Sequence, residues 1–526
     1  MGDEHSEGIQ ERLNRELERT EGVSFQPNSV YCGDCLDVLN SFPSDSVDLV
    51  YIDPPFGSGE NYEVVFKDGV EVRHFKDRWI GGKDGYINFM RPRIRAIHTV
   101  LKETGSFYLH CDWHLNYRLR SLCDEIFGER SFQNEIVWKR KDAQSFTSRY
   151  GVVNDTILFY TKSDKYTFNR GYTDLPQSTA DSWYNHPEVA TVNTVNRLGK
   201  TIKAGTTRYY NLADLSAPGP RPGTKAHYQW KGVLPPSGRH WANQIDVMKK
   251  LEADGRIEYS KSGRPYEKRY KDESKGVPYQ SIWDDIDMLR GISKGKKDAE
   301  YLGFPTQKPT GLLKRIIEVS SNPGDIVLDP MCGCGTTLIA SQEAGRKWVG
   351  IDISPTACKL MVKGLRKKGV SITEDDIVGL PRSVKEIQQM VQIDAIEFQN
   401  WVCERLGAVS TTAKGNAPKA DKNIDGWILN SIPIQVKGSD AVGYEEVERF
   451  ETTMRTNHVK EGYIVAFSFS KPAYAEASRA RGTDGLMVDL LELEERKLPN
   501  PLNPKKPETH TVLKSQITGK VFGEKS

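Results

Sequence analysis

Residues 326–341 read IVLDPMCGCGTTLIAS: an apolar run, a loop with glycines at 333 and 335, and a segment able to open a helix at Thr336. Short apolar runs of this kind are strands buried on both faces, the pattern of parallel sheets covered by helices. Glycine in the turn lets the backbone approach a ligand closely. The next run, WVGIDIS, ends in an acid, Asp352, placed to accept hydrogen bonds from ribose hydroxyls. The loop has neither the G-x-G-x-x-G of the dinucleotide fingerprint nor the Gly-Lys-Ser/Thr of a phosphate loop, so a nucleoside ligand without phosphate fits it better.

The same alternation begins earlier in the chain. SVDLVYIDPPF starts as a buried strand, and GYINFMRPRIRAIHTVLKETG carries Ile87, Met90, Ile94, Ile97 and Leu101 at helical spacing, with a glycine stop at Gly105. SFYLHCD, EIVWKR and DTILFYTKS read as strands and NYRLRSLCDEIFG as a helix, which together predict an α/β layered sheet. At 526 residues the chain exceeds one ordinary hydrophobic core, so two or more domains are expected.

From Lys165 to Gln280 the periodicity dissolves. This stretch holds 19 Lys and Arg against 11 Asp and Glu, with aromatics interleaved in TTRYYN, HYQWKG, GRHWAN and GRPYEKRY, whereas the net charge of the whole chain is only +2. A solvated basic surface and a nucleic-acid surface both fit that composition. A linker at residues 371–384 leads to a region at 385–526 with its own helix, IDAIEFQNWVCERLG, and strands NIDGWI, IPIQVK and YIVAFSFS.

No segment is apolar enough for a membrane span, and the charged first residues lack the apolar core of a secretory signal, so a cytoplasmic protein is expected. Eight cysteines in such a chain are no disulfide framework. Cys32 and Cys35, and Cys332 and Cys334, raise the question of zinc, but two matched pairs at short spacing are missing, and small residues in tight loops account for them as well.

Asp53, Pro54, Pro55 and Phe56 stand in a row at the lip of a strand. The DPMCGCGTT loop resembles the one that binds S-adenosylmethionine in DNA amino-methyltransferases, and IDPPF resembles their catalytic (D/N/S)-P-P-(Y/F/W) motif. With YCGDCLDVLN and FPTQKP the resemblance covers residues 28 to 365, in the motif order of the family's β group. It implies a Rossmann-like S-adenosylmethionine-dependent methyltransferase sheet in residues 1–370, a target-recognition insert at about 165–280, and double-stranded DNA as partner, in the cytoplasm of a bacterial cell or one carrying a phage-encoded copy. A homodimer is left open.

An exocyclic amine is a poor nucleophile because its lone pair is delocalised into the base. Acceptors aimed at its hydrogens favour a pyramidal, more reactive nitrogen as positive charge develops. Asp53 supplies one acceptor, and by resemblance the Pro54 carbonyl supplies the other. The prolines stiffen the strand exit and remove backbone donors. Phe56 is expected to stack on a base extruded from the duplex. Resemblance further assigns Asp34 to the cofactor's adenine, Asp329 with Met331, Gly333, Gly335 and Thr336 to its methionine and ribose side, and Asp352 to the ribose, with Thr306, Gln307 and Lys308 nearby. Met331 stands where phenylalanine is usual. Arg208, Arg221, Arg239, Arg264 and Arg269 are candidates for guanine or phosphate contacts. Adenine is expected over cytosine because an aspartate opens the motif.

Near the C-terminus Asp425 lies on one expected strand and Gln435, Val436 and Lys437 on the next. An acid followed at hairpin distance by (D/E/Q)-x-K resembles the PD-(D/E)xK nuclease fold of Mrr-like restriction endonucleases, with Glu397 as an upstream helix acid. That implies Mg²⁺ held by Asp425 and water oriented by Lys437. A solvent-facing Asp and Lys on neighbouring strands is the plainer alternative.

Overall fold

The computed structural model describes residues 25–55, 61–65, 72–76, 82–140, 150–289, 292–293, 296–297, 300, 307–393, 395–411, 423–498 and 508–523. The chain forms two compact units, residues 170–280 and the remainder.

The larger unit contains an eight-stranded sheet built from β1 (Ser29–Cys32), β2 (Val47–Ile52), β3 (Leu101–Cys111), β4 (Phe132–Lys139), β5 (Asn154–Thr161), β6 (Ile282–Trp283), β7 (Ile326–Asp329) and β8 (Lys347–Asp352), in the order β1-β8-β7-β2-β3-β5-β4-β6. The pairs from β1 to β3 are all parallel, and β5 runs antiparallel to both β3 and β4. Helices α1 (Cys35–Asn40), α2 (Gly82–Val100), α3 (Asn116–Phe127), α4 (Thr310–Ser320), α5 (Thr336–Glu343) and α6 (Pro355–Lys367) connect the strands.

Strand β2 shows why its sequence is apolar almost throughout. Val50 and Ile52 pack with Met90, Ile94 and Ile97 of α2 on one face, while Leu49 and Tyr51 pack with Leu312, Leu313, Ile316 and Ile317 of α4 on the other. Each such side chain contributes about 1.5–3 kcal/mol by leaving water.

One expected boundary moves. The helix expected to run through Leu101 to a stop at Gly105 ends at Val100, and Leu101 already belongs to β3, where it pairs with Val47. Gly105 sits inside the strand, at a point where a Cβ would lie 2.7 Å from Leu101 Cγ. The helical period survives by chance into a residue that tertiary pairing claims for the sheet.

A second sheet in the same unit runs in chain order, β9 (Ala408–Ser410), β10 (Gly426–Ile428), β11 (Ile432–Val436), β12 (Glu461–Ala466), β13 (Met487–Leu498), β14 (Glu508–Ser515) and β15 (Val521–Phe522). Its middle pairs, β11 with β12 and β12 with β13, are parallel. Helices α7 (Val384–Ile393) and α8 (Ala395–Leu406) cover one side of it, and α9 (Tyr444–Thr456) and α10 (Lys471–Arg479) pack against β12 and β13. Residues 371–383 run along the edge of the first sheet. Val378 donates its N–H to Val30 and accepts from Cys32, and Ile372 and Ile377 are buried.

The smaller unit is more regular than its sequence suggests. Four antiparallel strands, in the order Ile257–Tyr259, Pro265–Tyr270, Thr207–Asp214 and His186–Val189, include two of the basic, aromatic tracts. Trp230, Trp241, Met248, Leu215 and Leu251 form a small core. Arg208 and Arg256 converge on Glu273, with Arg208 lying 3.6 Å over the Tyr270 ring. Burial pushes the Glu273 carboxyl up, but the two guanidiniums overcome it and hold the group below its usual range. Glu273→Ala should therefore leave two guanidiniums uncompensated and destabilise this unit by about 2–3 kcal/mol. Hydrogen exchange across residues 186–270 should speed up, while the strands around β2 should not change.

Candidate functional site

In an open parallel sheet, ligands bind beyond the carboxyl ends of the strands where the winding direction reverses. Here that point lies between β7 and β2. The chain leaves β2 towards β3 and leaves β7 towards β8, on opposite sides. Register places Val50 beside Leu328, Asp329 beside Gly350 and Cys32 beside Asp352, so Asp53, Asp329, Asp352 and Asp34 all emerge at one edge.

Asp53 follows β2 in coil, with Pro54 buried and Pro55 exposed. Its Oδ2 is held by the Lys308 ammonium, whereas Oδ1 is buried with no hydrogen-bond partner. Phe56 and Thr306 lie outside the described residues. Gln307 is buried and donates from Nε2 to the Glu300 carbonyl at 2.7 Å.

Beneath Asp53 runs a buried polar chain that the sequence reading did not single out. Tyr51 Oη lies 2.9 Å from His110 Nδ1, His110 Nε2 lies 3.3 Å from Asp155 Oδ2, and Arg140 pairs with the other Asp155 oxygen. The signal was a His and an Asp inside otherwise apolar strands, YLHCD and NDTILFY. Burial pushes the Asp155 carboxyl up, yet His110 and Arg140 bring it below its usual range.

The glycine loop folds around Asp329. The Thr337 hydroxyl donates to Asp329 Oδ2 at 2.5 Å and the Met331 N–H to Oδ1 at 3.1 Å, while burial raises the carboxyl to about 7. Met331 packs against the apolar cluster around α2, and Thr336 is buried at the start of α5. Gly335 is the residue before α5, at φ 85°, where a Cβ would lie 2.8 Å from Met361 Cγ. No other residue satisfies both the left-handed backbone and the space. Asp352 accepts from the Gly333 N–H at 2.8 Å and the Ser354 N–H at 2.9 Å, tying the loop to the end of β8. Asp34 caps α1 through the Leu36 N–H and pairs with Arg93 at 2.5 Å. The glycine cradle and the ring of acceptors fit a nucleoside-bearing ligand without phosphate.

In the second sheet, the Asp425 side chain accepts from the Val436 N–H at 2.7 Å, and burial raises its carboxyl. Gln435 is buried on β11 with its Oε1 unpartnered, and Glu397 is buried on α8. The Lys437 ammonium pairs at 2.7 Å with Glu446 of α9, an acid the sequence reading missed because it lies in a separate helix. Among the described residues, no group of three or more acidic, histidine or cysteine side chains is placed to hold a metal ion. Asp425 and Gln435 nevertheless come from adjacent stretches of chain, the Asp425 N–H donating to the Ile434 carbonyl at 2.7 Å, and oxygen donors of this kind suit a hard cation such as Mg²⁺.

In the smaller unit Arg208 is spent on Asp272 and Glu273, Arg239 and Arg264 both pair with Asp214, and Arg269 pairs with Glu267. Arg221 is exposed.

A glycine cradle, an acid-Pro-Pro strand exit and a second acid at one switch point match the Rossmann-like architecture of S-adenosylmethionine-dependent methyltransferases. The chain belongs to the DNA methylase family, whose profile matches residues 47–363, and a restriction endonuclease profile matches residues 390–495. It is a DNA methyltransferase of the restriction-modification type with an Mrr-like nuclease domain, in a family that uses S-adenosylmethionine. It is 30% identical over 412 residues, 76% of this chain and 83% of the relative, to the type II methyltransferase M.EcaI of Enterobacter cloacae. It is 27% identical to the DNA adenine methyltransferase YhdJ of Escherichia coli K12, covering 66% of this chain and 84% of that one. Among solved structures it is similar to the PvuII DNA methyltransferase, described as cytosine-N4-specific, at 14% identity and TM-score 0.34, covering 67% of this chain and 90% of that one. Among the described residues no helix is long and apolar enough to cross a membrane.

The Asp329 carboxyl generates a pH prediction. An unfolded aspartate ionises near ~4, whereas the folded one keeps its proton up to about 7. Raising pH through that window stabilises the unfolded chain, so stability falls with rising pH. The urea midpoint of the wild type should drop between pH 5 and 7 relative to Asp329→Asn, and the difference should level off above 7.

Proposed function

We propose that the protein transfers methyl from S-adenosylmethionine to the exocyclic amine of adenine in duplex DNA, and that the 385–526 module cleaves DNA with Mg²⁺. The observation that carries the first half is the Asp53 carboxylate: one oxygen is fixed by Lys308 and the other is buried without a partner at the switch point.

The cofactor supplies an electrophilic methyl on a sulfonium. Asp329, Met331, Gly333, Gly335, Thr336 and Asp352 would hold it, joined by Asp34, Gln307 and Lys308. Lys308 would keep the Asp53 carboxylate from rotating and leave Oδ1 as the acceptor for one amine hydrogen. The Pro54 carbonyl takes the second hydrogen, and Phe56 stacks on the extruded base. Two acceptors on one amine draw its lone pair out of the ring. Holding that lone pair in line with the methyl supplies much of the rate. The proton released after transfer finds Asp53 Oδ1 already in place.

In the nuclease module Asp425, Gln435 and Glu397 would hold Mg²⁺, and Lys437 would orient the attacking water. Burial keeps the Asp425 carboxyl protonated to higher pH than usual, and only its ionised form ligates metal, so cutting should rise with pH.

Three measurements test this reading. Asp53→Ala should abolish methyl incorporation, a loss of about a hundredfold or more, while cofactor binding by calorimetry stays within a factor of a few. Mass spectrometry of the product DNA should show 6-methyladenine, and 4-methylcytosine alone would refute the choice of base. Wild type with Mg²⁺ should cut unmodified DNA and spare methylated DNA, and Lys437→Ala should cut neither. A wild type that cuts neither substrate reduces the module to binding, and equal cutting of both would mean that methylation does not protect the DNA.

A further inference from the structure

Methylation of an exocyclic amine leaves one proton to dispose of. Carboxylates hold protons weakly near neutral pH, whereas an imidazole takes one readily. Strands β2 and β3 bring the two kinds of group together. Ile52 pairs with Leu109, so Asp53 and His110 are the next residues of two parallel strands in register. Tyr51, two residues before Asp53, shares its side of the strand, and its hydroxyl lies 2.9 Å from His110 Nδ1.

On the far side of the ring, His110 Nε2 lies 3.3 Å from Asp155 Oδ2. Arg140 Nε stands 3.0 Å from the other Asp155 oxygen, an ion pair without the alignment of a hydrogen bond. His110 and Asp155 are 0% and 2% exposed. Burial raises the Asp155 carboxyl, but His110, Arg140 and Lys308 together hold it below its usual range. An ionised carboxylate only accepts, so Nε2 carries the ring hydrogen and Nδ1 accepts from the Tyr51 hydroxyl. Burial, and then the charges of Asp53, Asp329 and Asp155, hold that hydroxyl well above its usual range, which keeps it neutral. Neighbouring groups are engaged elsewhere: Tyr108 of β3 bonds Ser320, and Arg315 of α4 pairs with Asp285. A buried charged cluster is a poor source of stability compared with apolar packing, so stability alone gives no reason for this one.

We propose that Tyr51, His110 and Asp155 form a proton relay that empties Asp53 after methyl transfer. The relay rests on Asp53 being the acceptor for the amine. An N–H bond of the methylated amine breaks, its electron pair stays on nitrogen, and Asp53 Oδ1 takes the proton. As that proton passes to Tyr51 Oη, the hydroxyl hydrogen moves to His110 Nδ1. Asp53 is left ionised, Tyr51 neutral, and His110 an imidazolium facing Asp155. Return of the proton to water by the same path, once the methylated base has left, resets the site.

The test uses Tyr51→Phe, which removes only the hydroxyl, and His110→Gln, which keeps a donor and an acceptor but cannot hold a proton. Thermal midpoints and calorimetric binding of S-adenosylmethionine show that both fold. In single-turnover methylation the wild-type rate should rise with pH, because only the neutral ring accepts. Both variants should be slower by about tenfold or more and lose that rise, with KM for DNA unchanged. A purely structural role predicts a wild-type rate and pH profile for His110→Gln, and that result would overturn the relay. Independently of turnover, nitrogen NMR of the His110 ring at neutral pH should show hydrogen on Nε2 and an accepting Nδ1 whose signal moves in Tyr51→Phe. The opposite tautomer would also overturn it. Inactive Asp53→Ala beside wild-type rates in both relay variants refutes the relay alone, whereas active Asp53→Ala refutes the role of Asp53 itself.

Discussion

Carboxylates crowd the carboxyl edge of the parallel sheet, and much of the site's construction manages that crowding. Asp53, Asp329 and Asp352 leave neighbouring strands, and the charges of Asp53 and Asp352 both add to the burial that raises Asp329. Three negative charges on neighbouring carboxylates, one buried and two half-buried, would repel one another. The chain treats each differently. Lys308 compensates Asp53, two backbone N–H groups hold Asp352, and Asp329 is pushed to about 7, where it keeps its proton through most of the acidic range. The glycine loop follows from this arrangement, since its N–H groups approach Asp329 and Asp352 closely only where the backbone is free to turn at Gly333 and Gly335.

The large sheet was legible because its strands are buried on both faces. Val50 with Ile52 and Leu49 with Tyr51 serve different helices, so apolar side chains are required at consecutive positions and the run stands out. The convergence of Asp53, Asp329 and Asp352 could be read from motif and strand-end position together. Lys308 was legible as a neighbour, but its pairing with Asp53 joins residues 255 apart in sequence and depends on the fold. The insert was illegible as structure because its strands are held by ion pairs and rings, such as Arg208 with Tyr270 of the neighbouring strand and with Glu273 in the turn that follows it, and not by alternation of apolar side chains. For the same reason Arg208, which reads as a DNA-facing residue, is internal. The His110–Asp155 pair escaped notice because single polar residues inside apolar strands give no periodic signal.

The two candidate lysines, Lys308 and Lys437, share a feature that bears on how both sites work. Each is held by a carboxylate, Asp53 in one case and Glu446 in the other. A partly buried ammonium without a counter-ion is costly, and so is a lone carboxylate, so pairing lets the sheet edge carry both charges. The consequences differ with the ligand. On the proposed reading, an amine entering the methyltransferase site would be neutral and need only the remaining oxygen of Asp53, so the Lys308 pair would persist and position the acceptor. A scissile phosphate entering the nuclease-like site would be an anion and would compete with Glu446 for Lys437. There the pair would have to open, and the ammonium released from Glu446 would become the group facing phosphate and water. One arrangement would act as a brace and the other as a gate, with the charge of the incoming group deciding which.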